Sequence, residues 1–190
     1  DVNYVKNENY ETTGMNESLF CALKPSNSPI LVTYSDIVFE QKIVQQMLEI
    51  IDGIRLAVNL NWKKYYQNRT MHPLSEAENV LVENGRILQI RKNISESLQK
   101  QQIGEFLGIM MLSSDHVKIL LERYSYLKKN HVGTFHNSSS LSNAYITDML
   151  QEIIDCGINV NPVFTEGRWL EIDTPEDLKN AEKSINKFQS

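Results

Sequence analysis

Short apolar runs of strand length alternate with helical patterns along almost the whole chain. Residues 29–34 form a continuous apolar run, which is typical of a strand buried on both faces. Residues 39–51 follow with apolar side chains at helical spacing, and a strand pattern over residues 169–172 leads into a helix start at Thr174-Pro175. This alternation predicts an α/β fold with a mostly parallel sheet flanked by helices, whose ligands bind beyond the carboxyl ends of the strands.

One reversal of the chain is predicted independently of that alternation. Glu83-Asn84-Gly85 separates two apolar runs, residues 80–82 and 86–90. Asn-Gly between two such runs is the strongest short-range signal of a β-hairpin, because both residues tolerate positive φ. We therefore expect two antiparallel strands joined by a tight turn at this point.

Two acidic residues stand directly after predicted strands. Asp36 follows the run of residues 29–34, and Asp173 closes the strand pattern that contains Glu171. Magnesium prefers one or two carboxylates together with waters and substrate phosphates, so a single aspartate would not suffice. Two acidic strand ends are what a site for phosphoryl or nucleotidyl transfer requires. The alternative, in which Asp36 only caps the following helix, stays open on spacing alone.

Several segments resemble motifs of the sugar-nucleotidyltransferase superfamily, and they occur in the order expected for it. The most specific is Trp169-Leu-Glu-Ile-Asp-Thr-Pro-Glu-Asp-Leu178, which looks like the closing metal motif. Tyr34-Ser-Asp-Ile-Val-Phe39 resembles a second motif, and Gly104-Glu-Phe-Leu-Gly108 resembles a strand of the branch with phosphonate and phosphocholine cytidylyltransferases. Asn9-Tyr-Glu-Thr-Thr-Gly14 with Ser18-Leu19 is similar to the acceptor-recognition segment. The resemblance implies a Rossmann-like, GT-A-like fold.

This resemblance also implies roles for individual residues. Asp36 and Asp173 would be the catalytic residues and would hold Mg²⁺. Residues that would bind the acceptor are Thr13, Ser18, Trp62, Glu105, Tyr145 and Glu171. Trp62 stands where related choline-phosphate enzymes keep an aromatic wall for a cation, and Glu105 and Glu171 would bind an amine. The structural alternatives are that Trp62 packs at a strand end and that Glu105 is a solvated residue at a sheet edge.

The family's glycine-rich signature, which grips the nucleotide phosphates, has no counterpart in this sequence. The chain begins at Asp1, and residues 2–5 have the pattern of a strand already under way. We therefore expect residues 1–190 to be the C-terminal three-quarters of a single nucleotidyltransferase domain, inactive on its own, and the nucleotide-binding residues stay unassigned. Some relatives of this branch carry a fused phosphoenolpyruvate mutase domain. Two smaller departures from the family are Gly14 in place of Asn and Ser35 in place of Gly.

The function implied by the resemblance is transfer of CMP from CTP to a small amine-bearing phosphonate or phosphate, of the 2-aminoethylphosphonate or phosphocholine type, with release of pyrophosphate. The net charge of -5 argues against nucleic-acid and membrane partners. Cys21 and Cys156 lack metal-ligand spacing and indicate reduced thiols in a cytoplasmic protein. A sugar-1-phosphate nucleotidyltransferase and a regulatory domain without the phosphate loop are the alternatives, and formation of a homodimer is left open.

Overall fold

The computed structural model describes residues 2–67, 69–94 and 98–184. In this part of the chain the predicted α/β class is confirmed, because helices lie against both faces of a six-stranded sheet. The helices are α1 (Met15–Ala22), α2 (Gln41–Leu48), α3 (Ser114–Asn130), α4 (Ile146–Asp155) and α5 (Pro175–Ser184). The strands are β1 (Ile30–Thr33), β2 (Ile37–Phe39), β3 (Ile54–Asn59), β4 (Glu78–Glu83), β5 (Arg86–Lys92), β6 (Gln101–Leu112), β7 (Val160–Phe164) and β8 (Trp169–Glu171). None of the helices described here is both long and apolar enough to cross a bilayer.

Strand β6 is the centre of the sheet. One of its edges pairs with β3, while the other pairs with β4 over residues 101–105 and with β1 over residues 109–112. Gly108 lies between these two partners with a φ of 71°. The outer strands are β5, beside β4, and β7, beside β3.

The sheet is mixed rather than mostly parallel as the alternation predicts. Within the described residues β3 and β7 are the parallel pair, and the other pairings are antiparallel. A parallel pair needs a crossover connection, whereas a two-residue turn joins antiparallel strands. The predicted hairpin is confirmed as such a turn: Asn84 and Gly85 join β4 to β5 with φ angles of 51° and 75°. Strand β6 then runs between β3 and β4, antiparallel to both.

Alternate residues of the central strand face two different cores. Phe106 and Met110 of β6 face a core that is completed by α3 and α4, whereas Leu107 and Ile109 face a core that is completed by α2. This is the period of two that a strand imposes on its side chains. Each fully buried aliphatic side chain contributes about 1.5 to 3 kcal/mol, so the two cores hold the sheet between layers of helix.

The strand predicted at residues 2–5 is wrong. Residues 2–7 have no regular secondary structure, and the side chain of Tyr4 is 92% exposed. An apolar pattern forms a strand only where a neighbouring strand accepts its backbone hydrogen bonds, and none of the strands described here pairs with this segment.

Candidate active site

A separate two-stranded pair, β2 with β8, brings the backbone segments that carry the two predicted metal ligands next to each other. Ile37 pairs with Glu171, and the amide of Ile172 donates a hydrogen bond to the carbonyl of Asp36 over 2.8 Å. Asp36 and Asp173 therefore stand at adjoining ends of antiparallel strands, although they are far apart in the sequence. Both side chains are exposed.

Asp173 lies next to an imidazole and a guanidinium group. Nδ1 of His72 is 2.8 Å from Oδ2 of Asp173, and Nη2 of Arg69 is 3.9 Å from the same oxygen. Arg69 is more firmly attached to Asp177, whose Oδ1 accepts a hydrogen bond from Nε of Arg69 over 2.7 Å. Arg69 therefore sits among carboxylates, which raise its pKa against the opposing effect of burial.

Asp177 has a structural task that occupies both of its oxygens. Its Oδ2 accepts hydrogen bonds from the amide of Thr174 over 3.0 Å and from the hydroxyl of Thr174 over 2.8 Å. The amide of Asp177 donates in return to that hydroxyl, so that Thr174 and Asp177 form the capping box that begins α5. Since Oδ1 is held by Arg69, Asp177 has little capacity left to bind a metal.

Asp36 and Asp173 stay the predicted magnesium ligands, and the alternative set that the described residues offer suits this ion poorly. Donor atoms of His72, Asp173 and Asp177 lie within 4.8 Å of one another, but Asp177 is saturated with hydrogen bonds and magnesium disfavours nitrogen ligands. Magnesium takes one or two carboxylates and keeps several waters. Asp36 and Asp173 are exposed residues, which suits an ion that keeps several waters.

Two further carboxylates, Glu105 and Glu171, join this region from the interior. Glu105 is only 2% exposed, and its Oε1 accepts a hydrogen bond from the hydroxyl of Tyr66. Burial raises the pKa of Glu105 to about 8, against the opposing effects of Tyr66 and Arg69. Burial, and then repulsion by Asp173 and Glu105, raises the pKa of Glu171. Below, the acidic cluster means Glu105, Glu171, Asp173 and Asp177.

Tyr66 connects the acidic cluster to the residues around it. It ends a short 3₁₀ helix, Trp62–Tyr66, and donates its hydroxyl to Glu105. The guanidinium carbon of Arg69 lies over its ring, 5.1 Å from the centroid, and the ring of His72 is 5.9 Å away. One aromatic side chain thereby fixes the positions of a carboxylate, a guanidinium and an imidazole.

A cavity of about 380 Å³ opens beside Glu171 and Asp177. The basic side chains that line it are Lys64, Arg69, Arg168 and Lys183. The cavity therefore combines carboxylates with positive groups, although the chain as a whole has a net charge of -5. A small ligand that carries both a cation and an anion matches such a lining.

The other predicted acceptor residues have partners of their own. Trp62 is 4% exposed and packs edge-on against Tyr66, with ring centroids 5.8 Å apart, so little of its face is left for a ligand. Thr13 and Ser18 accept hydrogen bonds from the side-chain amide of Asn7 over 2.9 and 3.0 Å. Tyr145 stands at the start of α4 with Nζ of Lys92 over its ring at 5.5 Å. Of the predicted site residues, the structure thus brings Glu105, Glu171 and Asp173 into one charged region, and it places the backbone of Asp36 beside the strand that carries two of them.

Sequence reasoning missed three residues of this region, Tyr66, Arg69 and His72. They lie between β3 and β4, in a segment without helical or strand periodicity that the motifs do not cover. A usable signal was its composition, because aromatic and basic residues are concentrated between Trp62 and His72. Such a mixture in a loop between strands is typical of a binding segment.

Comparison with known proteins bears on the fold and on the family that the chain resembles. No protein-family model matches the chain. The CTP:phosphoglutamine cytidylyltransferase of Campylobacter jejuni is 27% identical over 181 residues, which make up 91% of this chain and 69% of that protein.

Solved structures show the same fold. The inositol-1-phosphate CTP transferase from T. maritima matches 97% of this chain and 65% of its own, with a TM-score of 0.66 and 20% identity. The CTP:phosphocholine cytidylyltransferase from Streptococcus pneumoniae matches 94% of this chain and 67% of its own, with a TM-score of 0.63 and 15% identity. This chain spans about two thirds of the length of these proteins. The motifs, the curated relative and the fold agree, and the predicted resemblance of the chain to nucleotidyltransferases of the cytidylyltransferase type is confirmed.

Proposed function

We propose that this site transfers CMP from CTP to the phosphate or phosphonate oxygen of a small amine-bearing acceptor, releasing pyrophosphate. The observation that supports the proposal is the pairing of β2 with β8, which joins the backbone of Asp36 to that of Ile172, between Glu171 and Asp173. In this proposal the carboxylates that hold the metal and those that bind the amine belong to one site. CTP is chosen as the nucleotide because it appears in the names of all three relatives described above.

The proposed chemistry is an in-line displacement. An acceptor oxygen attacks the α-phosphorus of CTP, the bond to the β-phosphate oxygen breaks, and pyrophosphate leaves. A phosphate or phosphonate oxygen is already anionic near neutral pH, so no general base is needed, and positioning and charge provide the catalysis. Asp36 and Asp173 would hold magnesium, which when bound neutralises the phosphate charge.

Each of the other residues has a defined task in this proposal. Glu105 and Glu171 bind the amine end of the acceptor, whereas the basic side chains of the cavity attract its phosphorus group. His72 and Arg69 hold the carboxylates of Asp173 and Asp177 in place. A cytoplasmic location, where CTP is available and Cys21 and Cys156 stay reduced, belongs to the proposal as well.

The test is a pyrophosphate-release screen on the full-length protein that the gene encodes. Four nucleoside triphosphates are combined with 2-aminoethylphosphonate, phosphocholine, a phosphorylated amino acid and a sugar 1-phosphate, with and without magnesium. We expect turnover with CTP and an amine-bearing acceptor only when magnesium is present. Preference for the sugar 1-phosphate would support a sugar nucleotidyltransferase, and release with no pair would support a regulatory domain.

Asp36→Asn and Asp173→Asn should each lower kcat by at least about a hundredfold, because removal of one group that stabilises transition-state charge has that effect. The matched control is Asp115→Asn on α3, whose side chain is 85% exposed and bonds only weakly to Lys118. Unchanged melting temperatures would show that the two site variants are folded. Normal turnover by either of them would contradict the two-aspartate site.

A further inference from the structure

The guanidinium of Arg69 has a nitrogen that the carboxylates around it do not satisfy. Its Nε donates to Oδ1 of Asp177 over 2.7 Å. Nη2 is shielded from solvent and has no hydrogen bond among the described residues, since the oxygens of Asp173 and Glu171 stay 3.9 and 4.0 Å away. The side chain of Arg69 is only 6% exposed. A buried donor in this state costs free energy until an acceptor satisfies it.

This guanidinium belongs to the lining of the cavity of about 380 Å³, a size that suits a small ligand. The other basic side chains of the lining come from three separate parts of the chain. Lys64 belongs to the 3₁₀ helix, Arg168 directly precedes β8, and Lys183 lies in the last turn of α5. The fold therefore gathers four basic side chains around one space, which a run of solvated charges on a single helix would not do.

Positive charge is in excess around the cavity. Its four basic side chains line it together with two carboxyl groups, one of which is already paired with Arg69. Arg168 pairs through Nε with Oε1 of Glu40 over 3.4 Å. The lysine ion pairs that the described part of the chain forms involve neither Lys64 nor Lys183. The lining is therefore suited to an anion.

A phosphorus oxyanion matches this lining better than a carboxylate does. A phosphate group carries close to two negative charges near neutral pH and has three strong acceptor oxygens, so it can accept from cations on several sides at once. A carboxylate carries one charge on two oxygens. Arginine is the side chain best suited to bind phosphate, because its donors are planar and fixed in direction.

We propose that the four basic side chains of the cavity form an oxyanion site, with Arg69 as its anchor, which binds a phosphate or phosphonate group in preference to a carboxylate. Arg69 then contacts the ligand in addition to holding Asp177. This inference rests on the proposed function, whose acceptor brings the phosphorus group. It deepens that function by giving the cavity an affinity for this group before CTP or a metal is bound.

Calorimetric titration of the chain, without CTP or metal, tests the oxyanion site directly. The probes are inorganic phosphate, methylphosphonate and acetate, compared at one pH and at constant ionic strength because salt screens such charges. We expect phosphate and methylphosphonate to bind at least about tenfold more tightly than acetate, which corresponds to about 1.4 kcal/mol. Equal affinities, tighter binding of acetate, or no binding of phosphate would overturn the proposal.

Two matched lysine variants on α5 separate the oxyanion site from general charge. Lys183→Gln removes a cation that lines the cavity, whereas Lys179→Gln removes an exposed cation of the same helix that does not line it. Phosphate binding should weaken at least about threefold in the Lys183 variant, the effect of one partly exposed charge pair. The Lys179 variant should bind as the wild type does, and an equal loss in both would contradict the site.

Arg69→Lys examines the anchor itself. It keeps a positive charge beside Asp177 but removes Nη2 and the planar group. Phosphate should bind at least about tenfold more weakly, because a hydrogen bond to a charged group is lost, and an unchanged affinity would contradict the role of Arg69. Thermal unfolding shows whether this variant is folded. If it is not, the comparison of Lys183→Gln with Lys179→Gln decides whether the site exists.

Pyrophosphate release by the full-length protein tests the proposed function separately. A chain that binds phosphate as expected, but belongs to a protein without turnover, would contradict the proposed function and leave the oxyanion site standing. Turnover by the full-length protein, together with no binding of phosphate by the chain, would overturn the oxyanion site alone.

Discussion

At the scale of single residues, Gly108 shows how closely this site is built. Its φ of 71° is unfavourable for other residues, and a Cβ at this position would lie 2.6 Å from Cδ2 of the Tyr34 ring. Tyr34 in turn immediately precedes the segment that carries Asp36. Gly108 therefore allows β6 to change partners from β4 to β1 while the ring packs directly on its backbone.

We expect Gly108→Ala to lower the free energy of unfolding by roughly 2 to 4 kcal/mol, from backbone strain and the clash with Tyr34 together. Gly157 is the matched control. It has a φ of 82°, but a methyl group on its Cα would have no atom within 4 Å, so Gly157→Ala should cost only about 1 kcal/mol. Urea unfolding measures both, and equal losses would show that the contact with Tyr34 is unimportant.

Glu105 should make stability depend on pH. Its pKa is raised to about 8 in the folded protein, whereas a glutamate in the unfolded chain has a pKa of about 4.3. The folded state therefore binds the proton of Glu105 more tightly than the unfolded state does. The stabilisation that results is complete below the unfolded pKa and is lost as the pH rises through the folded pKa. Between pH 6 and pH 8 the loss amounts to roughly 2 kcal/mol.

The measurement is thermal unfolding of the wild type and of Glu105→Gln at pH 6 and pH 8. Over this pH interval, the melting temperature of the wild type should fall further than that of the variant. The variant should still show some dependence, because burial also raises the pKa of Glu78, to about 7, and that of Glu171. Identical slopes for the two proteins would mean that Glu105 does not titrate in this range.

At the scale of elements, the start of α5 links helix capping to the site. Thr174 and Asp177 cap the helix, and Asp177 also neutralises Arg69, whose side chain is 6% exposed. Thr174→Ala should cost about 1 kcal/mol, the usual value of an N-cap. Asp177→Ala should cost roughly 3 to 5 kcal/mol, because it leaves a buried guanidinium without its partner.

Chemical unfolding of the two variants provides the comparison. Glu176→Ala is a useful third protein, since Glu176 accepts hydrogen bonds from the exposed backbone at Thr70 and Met71 but does not contact Arg69. If Asp177→Ala cost no more than Thr174→Ala, the ion pair with Arg69 would have no structural importance. A large loss only for Asp177→Ala would confirm that one residue serves both the helix and the acidic cluster.

Local signals predict elements of this protein well where the chain itself determines the geometry. The Asn84-Gly85 hairpin is an example, because its turn depends on two residues with positive φ. Gly157 at the end of α4 is another, with a φ of 82°. Strand direction is different, because it depends on which strands meet in space. The alternation of strands and helices predicts more parallel strand pairs than the sheet around β6 contains.

At the scale of the whole molecule, the sequence motifs supplied the candidate site residues, most of which stand at the ends of strands. Glu105 lies within β6, Glu171 and Asp173 at the end of β8, and Asp36 just before β2, whose pairing with β8 places its backbone beside theirs. Trp62 could not be assigned in this way, because its burial depends on Tyr66 and Ala77, which pack against it only in the folded chain. The contact between Tyr66 and Glu105 likewise joins residues 39 positions apart, beyond the reach of any periodicity.

The two tryptophans of the chain give this arrangement an optical consequence. Trp62 begins the 3₁₀ helix and touches Tyr66, while Trp169 is 6.4 Å from Tyr65 of the same helix and donates its indole N–H to the carbonyl of Leu107. Both indoles are buried and lie beside this one helix. Their emission therefore depends on the surroundings of that helix. The tryptophan fluorescence of the chain is accordingly a label-free reporter of the 3₁₀ helix whose Tyr66 holds Glu105, rather than an average over the molecule.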